Sequence, residues 1–261
     1  MNFIETKIEN NIIAETNETN ETNETNETNE SNKLENEIIN ISENSEDNNK
    51  KNALDAHYFL RRGPTCGLII VDNFYNNAMD TRKYILTQEF SVTGNFPGQR
   101  TISYANDHLK EIIQKYVEPF GGKITSFPIP DSDNTHSKDI YNGAFQYTTS
   151  RDRSWVHTDS WNNWAGVVFM TPNAPLSSGT AFYRFNDGAT CEEDGKILNN
   201  KEDVDRFSQV LTKWELMDRV GNVFNRLILF NARRYHMSMD YFGDTKENGR
   251  LFQTFFFSTE R

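Results

Sequence analysis

Apolar residues follow two different periods along this chain, and the change falls near Lys123. Before it, CGLIIVDNF (66–74) is a short apolar run that predicts a buried strand. Residues 76–89 then carry Ala78, Met79, Tyr84 and Ile85 at spacings that predict a helix. The Gly/Pro-containing GNFPGQRT (94–101) reads as a loop, and DHLKEIIQKYVEPF (107–120) as a second helix. That helix sets Leu109, Ile112, Ile113 and Tyr116 on one face and stops at Gly121 and Gly122. After Lys123, short runs rich in Val, Ile, Phe, Tyr and Trp alternate with turn clusters: KITSFPI, GAFQYTT, SWVHTD, WAGVVFM, GTAFYRF, NRLILFN and RLFQTFFFS. A helix over 203–212 is the one interruption expected. The pattern predicts a mainly β fold with flanking helices, two packed antiparallel sheets or a squashed barrel of the jelly-roll class.

Upstream of these elements the chain changes character. Residues 15–30 repeat the polar triplet ETN, and the stretch through residue 52 has little to bury. We expect 1–52 to be a disordered, low-complexity acidic tail and 53–261 to be one folded domain. Net charge is −11, but 13 acids against 4 lysines within 1–52 put −9 of it in the tail. The remainder is close to neutral, without the basic footprint of a nucleic-acid-binding domain, so nucleic acid is an unlikely partner. Cys66 and Cys191 are far apart and form no CxxC, which points to reduced thiols rather than a disulfide framework or zinc cluster. No secretory signal pattern and no run of about eighteen apolar residues is present, so the expectation is a cytoplasmic protein with no membrane partner.

Chemistry enters with the histidines. WVHTDSW sets His157 and Asp159 two apart, which on an extended backbone turns both side chains to one face. A second histidine, His236 in RRYHMS, follows the apolar strand NRLILFN. Two imidazoles and a carboxylate on one face of a metal leave coordination positions open, an arrangement that suits non-haem Fe(II). An HxD pair by itself is common and unspecific. What sharpens it is Arg250, which opens the apolar strand RLFQTFFFS and needs an anion to justify its burial. The distal carboxylate of 2-oxoglutarate would be such an anion, and Thr254, four residues on and on the same face, is expected to share it.

The succession FQY, SWVHTD, WAGVVFMTPNAP, GTAFYR, NRLILFN, YHMS and RLFQTFFF, over about Tyr141 to Ser258, resembles the Fe(II)- and 2-oxoglutarate-dependent dioxygenases, most of all their prolyl-hydroxylase-like branch. The resemblance implies a double-stranded β-helix and Fe(II) held by His157, Asp159 and His236. It implies 2-oxoglutarate as cosubstrate with O2, and hydroxylation of a protein side chain or a small amino-acid-like molecule with release of succinate and CO2. It also implies a cosubstrate contact from Tyr147, ten residues before His157. A second tyrosine of that branch would fall near Phe169, which has no hydroxyl, so the cosubstrate contacts differ. The rival reading is a cupin-like metal-binding module without turnover. Arg100, in the rigid setting NFPGQRT, is a further candidate, either for a substrate anion or for a structural salt bridge. Trp161 and Trp164 suit either a substrate mouth or packing. The acidic run 192–194 reads as a solvated loop over the site.

Overall fold

The computed structural model describes residues 66–131, 139–186, 188, 190–191 and 206–260. The expected tail, the expected domain start at residue 53 and the acidic run 192–194 lie outside the described residues. The described elements run β1 (Leu68–Val71), α1 (Ala78–Leu86), β2 (Gln99–Ser103), α2 (Asp107–Gly121), β3 (Ile124–Ser126), β4 (Ala144–Thr148) and β5 (Trp164–Phe169). They continue with β6 (Thr180–Phe185), β7 (Trp214–Val220), β8 (Leu227–Asn231), β9 (His236–Ser238) and β10 (Arg250–Thr259). The larger sheet has the order β1-β8-β5-β10-β4-β2, with β3 beside the end of β10; the smaller is β7-β6-β9. All pairings are antiparallel, and the two sheets form a double-stranded β-helix.

Period-two alternation sorts the side chains of the larger sheet between two cores. Phe145, Trp164, Val168, Leu227, Leu229, Leu251, Phe255 and Phe257 face outward and pack against Ile85 of α1 and Leu109, Ile113 and Val117 of α2. The apolar stripe of α2 lies where the sequence periodicity puts it, and Asn106 caps the helix by accepting from the Leu109 amide at 2.9 Å. Ala165, Phe169, Ile228 and Phe230 point the other way and meet Phe182 and Val220 of the smaller sheet. The interior between the sheets, which houses the site, is therefore lined by alternate residues of β5, β8 and β10. On β10 these are Arg250, Phe252, Thr254 and Phe256.

Several expectations need correction. The run 66–74 gives only a four-residue strand at a sheet edge, with Ile70 47% exposed, so it is not a buried strand. The loop read from GNFPGQRT ends in β2, because Arg100 is paired with Gln146 of β4. SWVHTD contributes one isolated bridge rather than a strand. The helix expected over 203–212 lies partly outside the described residues; Arg206 and Phe207 are helical, the chain leaves the helix after them, and a separate 3-10 turn, Leu211–Lys213, leads into β7. That strand was missed because its five central residues are exposed and show no alternation. No helix among the described residues is long and apolar enough to cross a membrane.

Candidate active site

His157 and His236 exchange both backbone hydrogen bonds, N to O at 3.0 and 2.9 Å, so the short segment after β4 and the start of β9 lock together at the histidines. Asp159 is fixed two residues on by its amide donating to the Ala232 carbonyl at 2.8 Å. Val156, between Trp155 and His157, turns to the outer core of the smaller sheet with Trp214 and Tyr235, which leaves His157 facing inward. The result is that one ligand atom from each of His157, Asp159 and His236 lies within 4.8 Å of the other two. Donors about 2.1 Å from one ion sit nearer to 3 Å apart when adjacent, so the group closes slightly to take a metal. His236 Nε2 and Asp159 Oδ2 are already 3.2 Å apart.

Both imidazoles are oriented by the same device. His157 Nδ1 lies 2.9 Å from the Trp155 carbonyl and His236 Nδ1 lies 2.8 Å from the Arg234 carbonyl, each two residues upstream. A carbonyl only accepts, so each Nδ1 carries the proton and each Nε2 is the atom available to a metal. Burial and the neighbouring His236 hold the His157 imidazole below its usual pKa, which keeps it in the ligand form. Burial acts to raise the Asp159 carboxyl, but contact with the His236 imidazole and the proximity of His157 and Arg100 outweigh it and hold it below the usual carboxylate range.

Arg250 is fully buried. Its Nε donates to the Ser178 carbonyl at 2.8 Å and one terminal nitrogen to the Gly179 carbonyl at 3.4 Å, while the other terminal nitrogen has no partner. The guanidinium lies against the rings of Phe252 and Phe169, 4.2 and 5.5 Å from their centroids. Burial pushes its pKa down to about 10, so it is still charged at neutral pH. Gly179 allows the close approach that presents these carbonyls, since a Cβ there would run into the Val220 carbonyl.

The other buried side-chain polar atoms without a partner among the described residues are Thr148 Oγ1, Thr180 Oγ1, Asn222 Oδ1 and Tyr241 Oη. All four belong to the same neighbourhood. Thr148 is opposite Arg250 in the sheet register. Thr180 follows Gly179, the Asn222 amide donates to the Ser178 carbonyl at 3.4 Å, and Tyr241 is close enough to act on the charge of Arg250. Unpartnered buried polar atoms are rare in native proteins, and each costs about 1–3 kcal/mol. A cation and three hydroxyls left open together are the donor set for a carboxylate.

Two candidates occupy other surroundings than expected. Tyr147 pairs with Leu251 and shares its outward face, with its hydroxyl donating to Gln99 Oε1 at 2.8 Å and its ring against Phe90. It points away from Arg250; the neighbouring Thr148 points toward it. Thr254 does share the inner face with Arg250, but four residues of strand separate them by roughly 13 Å. Its hydroxyl is spent on the Tyr141 and Ala144 carbonyls, at 3.0 and 3.3 Å. Arg100 is buried and donates to Gln146 Oε1 from Nε and a terminal nitrogen, at 3.0 and 2.5 Å. Trp164 is core, bonded to Thr259, whereas Trp161 is 65% exposed and leans on Phe256. Sequence reasoning missed Thr148, Thr180, Asn222 and Tyr241, which come from four separate segments and carry no motif.

No family model matches the sequence, and no curated protein matches it significantly. Solved structures do. HygX from Streptomyces hygroscopicus, with nickel, 2-oxoglutarate and hygromycin B bound, is similar at a TM-score of 0.50 and 11% identity over 75% of this chain and 84% of that one. A prolyl hydroxylase from Trichoplax adhaerens, in complex with a peptide fragment of the hypoxia inducible factor oxygen degradation domain, is similar at 0.44 and 12% identity, over 92% and 95%. A Pseudomonas putida prolyl-4-hydroxylase is similar at 0.37 and 13% identity, over 75% and 93%. Strand order, packing and the likeness to HygX agree: the chain has a double-stranded β-helix fold with helices against its larger sheet.

Proposed function

We propose that this protein is an Fe(II)- and 2-oxoglutarate-dependent oxygenase that hydroxylates a protein side chain or a small amino-acid-like substrate. The observation that carries the reading is the pairing of two features in one interior. A His-Asp-His group able to hold a divalent ion shares the space between the sheets with a buried arginine, around which every unpartnered buried side-chain atom among the described residues gathers. A metal-binding module without turnover would account for the first feature and leave the second, a standing cost of several kcal/mol, without a purpose.

His157, Asp159 and His236 would hold Fe(II), and Arg250 with the hydroxyls of Thr148, Thr180 and Tyr241 would hold the distal carboxylate of 2-oxoglutarate. Bound together, metal and cosubstrate supply O2 activation coupled to decarboxylation, the oxidising power needed for an unactivated C–H bond. The chain's own contribution is positional. The Trp155 and Arg234 carbonyls fix which imidazole nitrogen meets the metal, the apolar walls of Phe169, Phe182, Ile228 and Phe230 exclude water, and Arg250 sets the orientation of the cosubstrate. The Phe residue at position 169 supplies a ring beneath Arg250 where the prolyl-hydroxylase-like branch has a tyrosine, and Tyr241 supplies a hydroxyl from another segment.

The test is Fe(II)-dependent conversion of 2-oxoglutarate to succinate with matching O2 uptake. The reading expects slow succinate formation even without substrate, abolished in Asp159→Ala and in His236→Ala. Metal binding without any succinate would favour the module without turnover.

A further inference from the structure

The interior between the sheets holds a second buried arginine. Arg100 is 5% exposed and stands opposite Gln146, which in turn stands opposite Phe252 of β10, so it belongs to the same inner face as Arg250. Its guanidinium lies 3.8 Å from the centroid of the Phe96 ring and 4.9 Å from that of Tyr141, two rings that themselves meet edge to face. Gln146 holds the plane from a third side and is itself fixed by donating to the Pro97 carbonyl at 2.6 Å. Every one of these partners is neutral. The alternative of a structural salt bridge is not realised, because Arg100 makes no ion pair with any described carboxylate, and Asp159 acts on it only through space.

Charge then decides the matter. Among the described residues, Asp159 is the one buried carboxylate, and it is near enough to Arg100 to act on its charge. A divalent metal adds two positive charges and takes Asp159 as a ligand; 2-oxoglutarate brings two negative charges, one of them to Arg250. One positive charge is left, and it sits on Arg100. An uncompensated buried guanidinium is costly, so the loaded site is completed by one more anion. The place for it is the end of the interior away from Arg250. Thr254 ties down the Tyr141 carbonyl there, the Asn142 side chain accepts from the Phe256 amide at 3.0 Å, and the exposed Trp161 lies over Phe256.

We propose that Arg100, framed by Phe96, Tyr141 and Gln146, anchors a carboxylate of the substrate, so that the enzyme acts on a molecule or chain end bearing a free carboxylate beside an apolar or aromatic portion. This rests on the oxygenase reading above. The planar fork of arginine matches a carboxylate, and the surrounding rings fix its direction without neutralising it. Trp161 and Phe256, packed on each other further along the interior, offer apolar surface for the rest of the substrate.

The experiment uses the full chain loaded with Ni(II) and 2-oxoglutarate, titrated calorimetrically with hippurate and N-acetyl-L-phenylalanine and with the primary amide of each. The acids are expected to bind about tenfold or more tightly than their amides. Arg100→Gln is expected to abolish that preference while leaving 2-oxoglutarate binding unchanged, and Arg250→Gln to do the reverse. Wild-type protein that does not favour the acids, or a preference that survives Arg100→Gln, would overturn the proposal. If Arg100→Gln does not fold, Arg100→Lys decides, since it keeps the charge but not the fork: a preference reduced several-fold supports the anchor, and an unchanged one overturns it. Failure of the wild type to bind 2-oxoglutarate in the same titrations would instead strike the oxygenase reading, with the acid-to-amide comparison still standing.

Discussion

Replacing Arg250 with methionine separates binding from stability, because the two respond to different parts of its environment. In the ligand-free protein the change removes one donor from each of the Ser178 and Gly179 carbonyls, at about 1–3 kcal/mol in all, because the Asn222 side-chain amide and the Met239 amide still donate to them. It also removes a buried charge that has no counter-ion, a relief of several kcal/mol of the opposite sign. With the ring contacts to Phe252 and Phe169 kept by a side chain of similar length, these effects nearly cancel and the fold survives. For 2-oxoglutarate nothing cancels. The ligand loses a charge-assisted hydrogen bond and its distal carboxylate is buried without a cation, together about 3–5 kcal/mol, or roughly a hundred- to several-thousand-fold in Kd. Calorimetric titration of 2-oxoglutarate into the Ni(II)-loaded variant, beside its thermal unfolding curve, reads both quantities. A Kd within about threefold of wild type in a folded variant would refute the reasoning, since it would mean that Arg250 does not meet the ligand.

Other outcomes follow from the same geometry. Tyr241→Phe removes a buried hydroxyl that has no partner among the described residues, so it stabilises the ligand-free protein by up to about 1–3 kcal/mol in urea denaturation and weakens 2-oxoglutarate about three- to tenfold by calorimetry. Phe182→Ala opens a cavity in the core between the sheets and is expected to cost about 3–5 kcal/mol in urea denaturation. The depressed pKa of His157 means that the unfolded chain takes up a proton near pH 6.5 that the folded, metal-free protein refuses. Its contribution to stability is therefore present above that pH and lost as pH falls, by up to about 1.4 kcal/mol per unit. Chelator-treated wild type should lose stability between pH 7.5 and 5.5 more steeply than His157→Gln, as followed by urea midpoints.

The fold was legible where apolar residues form an unbroken run or recur at helical spacing. RLFQTFFFS, WAGVVFM and NRLILFN became the central strands because both of their faces are buried. WELMDRV became a strand without an alternating face to announce it, because its place at the edge of the smaller sheet leaves five residues exposed. The metal-ligand candidates were legible because one local rule, two residues apart on an extended backbone, brings His157 and Asp159 together, and His236 follows directly on a strong strand. The proposed carboxylate pocket was not. Counting back ten residues from His157 reaches Tyr147, but side chains in a strand switch faces at every step, and the neighbouring Thr148 is the one that faces Arg250. Thr180, Asn222 and Tyr241 reach that pocket through the crossing of distant segments, which no spacing along the chain encodes. Thr254 was placed on the correct face but at the wrong height.

The central claim is that Fe(II) on His157, Asp159 and His236 and 2-oxoglutarate on Arg250 bind at one site, and anaerobic titration of both into the metal-free protein tests it most directly. A chelated complex gives a weak visible charge-transfer band. The account predicts that band in the wild type, its absence in His236→Ala, and in Arg250→Ala its appearance only at far higher 2-oxoglutarate concentrations. Tight Fe(II) binding with no band at any 2-oxoglutarate concentration would contradict it.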